Sequence, residues 1–396
     1  MTSVQPKNAT VHNTKGDLFR SFDVEDFAVP HGKDEVWRFV PLRRLRGLHD
    51  GTFAEATTPA VSVTVPSGAE GVTTETVALN DPRVGRTGAP IDRTGAQAFS
   101  SASEATYIGF AKDSVNSAPV VISVEGKGEG VTSFGHLVVE VQQGASAVVD
   151  LRYTGSGTHA DNVEFVVGDN AKLTVIVDAS WNDDAVHLSG QQAQLGRDAT
   201  LRHNTAVFGG EIVRLVPRVQ FTAPGGDAEL LGVYFADDGQ FFEQRLLVDH
   251  AVPNCRSNVL YKGALQADPD SDKPEARTAW VGDVLIRSNA QGTDTYEANR
   301  NLVLTEGARA DAVPNLEIET GEIVGAGHAA TVGRFDDEQE FYLMSRGIPP
   351  EEARRLIVRG FFSDVIGRIP VAEIREELEN RVSAELASLQ GKQAKN

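Results

Sequence analysis

The chain has 396 residues, 40% of them apolar and 23% charged, which is ordinary for a globular protein able to bury a sizeable core. With 37 Lys+Arg against 56 Asp+Glu the formal net charge is −19, which argues against a nucleic-acid partner, because a phosphate-binding surface needs a basic excess and the dense basic cluster is only Arg43, Arg44 and Arg46. One cysteine, Cys255, excludes an internal disulfide framework, a zinc ribbon and a four-cysteine iron–sulfur site built by this chain alone. The stretch up to Gly16 is polar and lacks the apolar run of a signal peptide, and no segment approaches the roughly 20 apolar residues of a membrane span. A soluble, cytoplasmic protein is expected.

Three zones follow one another. In residues 1–103, the spacing of apolar residues predicts short helices over 17–27 and 35–48, interrupted by Pro30, Gly32 and Pro41. Residues 50–103 are rich in Thr, Ala, Gly and Pro and predict short strands and loops, with alternation at Val61–Val65.

Residues 104–335 change pattern. Apolar and polar residues alternate in short runs, as in Leu137–Val141, Val163–Val167, Leu173–Val177 and Val216–Phe221, which is the strand signal. Glycine turns recur between the runs, at Gly144, Gly168, Gly196, Gly226 and Gly307. The first gaps are 24, 28 and 30 residues and the last is 81, about three more such intervals. A turn recurring every 20–50 residues, roughly, marks a solenoid or a propeller, and intervals below the ~40–45 residues of a propeller blade favour stacked coils. The zone therefore predicts a right-handed parallel β-helix in a mainly β protein with helical N-terminal and C-terminal regions. An ordinary β-sandwich is the alternative.

Residues 336–396 read as helical. Asp336 with Gln339 resembles a capping box, and Gly347 is a good stop. Pro349-Pro350-Glu351-Glu352 starts a second helix, with proline and acids where the first turn favours them. Pro370 ends it, and a last helix carries Val371, Ile374, Leu378, Val382 and Leu386 before a polar tail from Gly391.

Standard catalytic signatures are missing: there is no GxxxxGK[ST], HExxH or GxSxG. Gly325-Ala-Gly327-His-Ala-Ala330 fits GxGxxA, but no helix opens after it, so a dinucleotide site is not expected. His328, between small residues, is either a structural histidine or a metal or cluster ligand at an interface. His250 lies near Cys255, yet Cys255 reads as a small buried apolar residue rather than an activated thiol. Asp178, Asp183 and Asp184 surround Trp181 and read as an inter-coil loop before a sugar or calcium site. His187 and His203 read as isolated histidines.

The run Pro314–Ile318, Ala326–Gly333, Asp337–Ile348 and Ala353–Phe361, containing H-x-A-T-V-G and F-Y-L-M-S-R-G-I, resembles the SufB/SufD family of iron–sulfur cluster assembly proteins. Weaker likeness extends to Tyr261-Lys262-Gly263 and Trp37-Arg38. SufB-type members carry a cysteine where this chain has Ile318 and a glutamate where it has Ala329, so the chain is more similar to SufD; some SufD members carry a cysteine at the position of Ala326. The resemblance implies a β-helix with helical ends and a non-catalytic scaffold subunit. It implies partners too: a SufB-like subunit at the β-helix edge, and the ATPase SufC at the C-terminal helices, with Arg346, Phe361 and Phe362 as candidate contacts. It makes His328 a candidate iron or cluster ligand at the SufB interface, with a nascent iron–sulfur cluster or iron held only in the complex. A homodimer is expected when SufB is absent. The competing class is a β-helix carbohydrate-active enzyme, for which a leader and a carboxylate-rich groove would be expected.

Overall fold

The computed structural model describes residues 14–54, 56–268 and 270–393. The polar stretch before residue 14 and the last residues of the tail lie outside them. Short strands β1 (Ala56–Thr57), β2 (Ala60–Thr64) and β3 (Val72–Val77) precede helix α1 (Arg93–Ser101). Paired strands follow: β4 (Ala105–Phe110) and β5 (Val120–Glu125), β6 (Thr132–Val141) and β7 (Ser146–Gly155), β8 (Thr158–Val167) and β9 (Lys172–Trp181), β10 (Val186–Leu195) and β11 (Thr200–Phe208). Then come β12 (Ile212–Phe221) and β13 (Asp227–Ala236), β14 (Phe241–His250) and β15 (Arg256–Leu265), β16 (Ala276–Ile286) and β17 (Asp294–Val303), β18 (Ala308–Ile318) and β19 (Gly325–Arg334). The chain closes with α2 (Asp337–Ser345), α3 (Pro350–Ile366) and α4 (Ala372–Gln393).

From β4 onward the even strands stack in one sheet and the odd strands in the other, each parallel to its neighbour one coil away. The result is the expected parallel β-helix, flattened between two sheets. Alternate residues point inward and form one continuous apolar core, as with Val163, Phe165 and Val167 of β8 facing Leu173, Val175 and Val177 of β9. The outward residues are covered as well. Trp37, Leu45, Leu48 and Ala98 pack on the outer face of the even sheet. Val358, Phe362, Ile366, Leu378 and Val382 of α3 and α4 pack on Phe208, Leu231 and Phe235 of the odd sheet.

The glycine turns are not equivalent positions, as the spacing suggested. Gly168 and Gly196 open their turns, Gly144 stands two places further on, Gly226 closes its turn, and Gly307 lies on the opposite side of the helix. What the coils share is a left-handed residue in the turn: Asp113, Gly144, Asn170, Asp198, Gly225, Asn254 and Gly292 all have φ between 53° and 86°. Only glycine, asparagine or aspartate fills it, because their cost there is small. Its N–H donates to the turn of the next coil, for example Asn170 N to Arg197 O at 2.7 Å and Asn254 N to Gln291 O at 2.8 Å, so the ladder runs through the corners.

Other differences lie in the N-terminal zone. Segments 17–27 and 35–48 form only single 3₁₀ turns at Val24–Asp26 and Leu42–Arg44; the apolar side chains of 35–48 meet the even sheet rather than one helix face, while Phe19 packs on Phe27 and Phe22 on Phe99 of α1. The alternation at 61–65 is β2, and the stretch 50–103 contributes β1, β2 and β3 to the two sheets and α1 to their cover. At the C-terminus Asp336 caps α2 through Glu338 N and Gln339 N, and α4 continues through Gly391 to Gln393. Among the described residues no helix is long and apolar enough to cross a membrane.

Candidate functional site

The two ends of the β-helix differ. At the first coil, β2 pairs antiparallel with β5 and β3 with β4, so both sheets are closed by returning chain. At the last coil, β18 and β19 are the outermost strands of their sheets; Ile318 and Val332 on them are 46% and 52% exposed, and Val324, just before β19, 74%. Such an edge is a template for another strand.

His328 sits on this terminal coil. It follows an inward-pointing column, Val149, Val175, His203, Leu230, Val259, Glu297 and His328, in which each residue stacks on its partner one coil away. Among the described residues no further coil lies above it, the imidazole is half exposed, and its Nδ1 lies 4.0 Å from Glu297 Oε1. The small neighbours do not make room for the ring, because they point to the other face. Gly327 is small because the Tyr296 ring lies over it, 3.1 Å from where a Cβ would stand.

Glu297 is fully buried, and neither carboxylate oxygen finds a well-formed hydrogen bond, the nearby backbone of Asn315 notwithstanding. Burial first, then the charge of Asp283, pushes its pKa up to about 8. From about pH 4.5, where an ordinary glutamate titrates, to about pH 8, the unfolded chain has released this proton and the folded chain keeps it, so stability falls as pH rises through that window. Glu297→Gln is therefore expected to match wild type at pH 5 and to exceed it at pH 9 by on the order of 2–4 kcal/mol. Denaturant unfolding at the two pH values measures this. An unchanged pH dependence would refute the buried neutral acid.

The other sequence candidates separate. Phe362 is fully buried against the odd sheet, whereas Phe361 is half buried beneath Lys262 Nζ, 4.8 Å from its ring centre. Lys262 also bonds Phe361 O at 2.7 Å and Asp364 at 2.6 Å, which ties α3 to β15. Arg346 follows α2 and donates to Tyr342 Oη at 3.0 Å. Around it α2 and α3 expose Phe341, Tyr342, Met344 and Leu356. Sequence reasoning passed over this apolar patch.

Cys255 is buried, and burial raises its thiol pKa, the opposite of activation. It fills the slot after the left-handed turn residue, where other coils place Ala145, Ala171 and Ala199, all buried. His250 bonds Ser257 Oγ at 2.9 Å and burial lowers its pKa to about 3. Cys255→Ala is thus expected to cost under about 1.5 kcal/mol in denaturant unfolding. A much larger loss would show that the thiol does more than fill this slot.

Asp178 points outward and pairs with Arg381 at 2.6 Å under α4, while Trp181 points inward, so the three acids do not share a groove. Arg44 and Arg46 are both engaged by Glu211, which dissolves the basic cluster. Gly325–Ala330 lies within strand β19, without the helix a dinucleotide needs.

Comparison with known proteins agrees with this architecture. Residues 123–361 match the family described as "SUF system FeS cluster assembly, SufBD core domain". An iron-sulfur cluster assembly SufBD family protein of Mycobacterium bovis is 61% identical over 375 residues, 95% of this chain and 94% of that protein. One of Mycobacterium leprae is 57% identical over 386 residues, 98% of this chain and 97% of that protein. A second such protein of M. bovis matches at 26% over 239 residues, 60% of this chain but only 27% of that longer protein. On the family match across its β-helix and these near-full-length likenesses, the chain belongs to the SufBD family of iron–sulfur cluster assembly proteins.

Proposed function

We propose that this chain is a SufD-like, non-catalytic scaffold subunit of a SUF complex, acting in the cytoplasm. It pairs with a SufB-like subunit through its terminal coil and docks a SufC-like ATPase through its C-terminal helices. The observation that carries this reading is the open coil, with unpaired β18 and β19 edges around a half-exposed histidine. The presence in M. bovis of two family proteins, one close to this chain and one distant, supports a heteromeric pair. A second copy of the chain would cover the same edge when the SufB-like partner is absent.

In this reading His328 offers Nε2 to iron or to a nascent cluster across the interface, since imidazole is a competent iron ligand beside thiolate. Glu297 stands behind Nδ1 at 4.0 Å, the nearest group on that side of the ring to serve as an acceptor once the ring turns to bind. The chain lacks the SufB-type cysteine, so the cluster is cargo of the assembled complex only. ATP hydrolysis belongs to the SufC-like partner, for this sequence has no phosphate-binding loop of that type.

Co-production with SufB-like and SufC-like subunits, followed by sizing and an iron count, tests the whole reading; failure to co-purify with either overturns it. A Phe341→Ser, Tyr342→Ala chain addresses docking separately. Both residues are exposed, so folding should be unaffected, while affinity for the SufC-like ATPase should fall about tenfold or more. Unchanged affinity would place the docking surface elsewhere.

A further inference from the structure

Inside the β-helix, on the sixth and fifth coils counted from its open end, His159, Asp161 and His187 converge, and each is at most 2% exposed. His159 and Asp161 are alternate inward residues of β8, and His187 stacks on His159 one coil later on β10. Tyr153 and Trp181 close the space from β7 and β9, with the His187 ring 4.4 Å from Tyr153 and 5.2 Å from Trp181. One ligand atom from each of the three residues lies within 4.8 Å of the others.

The ring nitrogens face the carboxylate without closing on it. Ser133 Oγ lies 2.9 Å from His159 Nδ1 and 3.5 Å from Thr158 O. His159 Nε2 lies 3.4 Å from Asp161 Oδ2. Tyr153 Oη donates to Asp161 Oδ2 at 2.7 Å and fixes the carboxylate. Asp161 Oδ1 lies 3.6 Å from His187 Nε2. His159 Nε2, Asp161 Oδ1 and both nitrogens of His187 have no hydrogen-bond partner. Among the described residues no lysine or arginine pairs with Asp161.

Buried polar groups held this far from a partner are costly, and a cation between them would satisfy all three. Separations of 3.4 and 3.6 Å are too long for good N–H···O bonds. They run to the two different oxygens of Asp161, and each is near the ~3.3–3.4 Å between donor atoms of a tetrahedral site with bonds of about 2.0–2.1 Å, so a bound ion would draw the two rings onto one carboxylate. Two imidazoles and a carboxylate suit zinc and similar divalent transition ions, whereas calcium and magnesium prefer all-oxygen shells. Ser133 and Tyr153 stand where outer-shell groups orient a ligating histidine and carboxylate.

The geometry points to a buried structural site for a divalent transition metal, zinc in kind, held by His159, Asp161 and His187 and separate from the terminal coil. Nothing in the cluster-assembly reading requires it. Because the site is closed to solvent, the metal enters during folding and then exchanges slowly.

The test is to produce the full-length chain in medium supplemented with Zn²⁺ or Co²⁺, remove loosely bound metal with EDTA, and measure metal per chain. One ion per chain should survive the chelator. The Co²⁺ form should show the intense visible absorption of a tetrahedral site and a quenched Trp181 emission. His187→Gln should lose the ion, and His31→Ala, at an exposed position, should keep it. A folded wild-type chain that retains no metal after EDTA overturns the proposal, as does a His187→Gln chain that retains as much as wild type. Should His187→Gln fail to fold, the wild-type measurement alone decides.

Discussion

His328→Ala, co-produced with SufB-like and SufC-like subunits, is expected to assemble and to hydrolyse ATP at the wild-type rate while losing iron about tenfold or more. The magnitude follows from comparison with outer-shell groups, whose removal alone costs roughly 10–100-fold in metal affinity; a direct ligand should cost no less. The structural cost should be small, because the ring is 46% exposed and the Glu297 carboxyl group is 4.0 Å away, too far for a good hydrogen bond in this arrangement. Sizing and iron analysis of the same preparation separate the two effects. Full iron content in the variant complex would end the ligand assignment, and a dissociated complex would make the histidine structural.

Removing the chain after Pro349 is expected to abolish soluble protein, not only docking. The sequence alone suggests that the C-terminal helices are a separable module. In the structure α3 and α4 cover the outer face of the odd sheet, and their loss bares Phe208, Leu231, Val233 and Phe235. Exposed apolar surface of that kind aggregates. A milder probe is Phe362→Ala, which should cost about 3–5 kcal/mol, since the side chain is fully buried in that layer. Thermal unfolding of the variant and sedimentation of the truncated chain give the readings. A soluble, β-rich truncated chain would show that the odd sheet stands without its cover.

Much of the fold was legible because solenoid coils are local in sequence. Runs such as Val163–Val167 and Leu173–Val177 alternate because one sheet face is interior, and the turns between them need special residues. The helix starts at Asp336 and Pro350 were legible for the same reason, since capping is a near-neighbour matter. The N-terminal zone was not, because Trp37, Leu45 and Leu48 answer to the even sheet rather than to a helical period. Of the terminal site, His328 could be singled out by its motif, but Glu297 could not, for its carboxylate is distant in sequence and reaches the ring only by stacking.

The sequence by itself determined the strand period, the helical end and the single cysteine. The tertiary structure decided which side chains meet and which stay wet. His187 read as a lone histidine, yet it stands 28 residues after His159, one coil, so parallel stacking sets the two rings side by side in a closed interior. His328 occupies the same kind of inward position, but its coil is the last, so its ring stays open to a partner. The difference is physical. Alternation fixes only the side of a strand from which a residue projects, whereas the number of coils stacked beyond it fixes whether water, a metal or another protein can reach it.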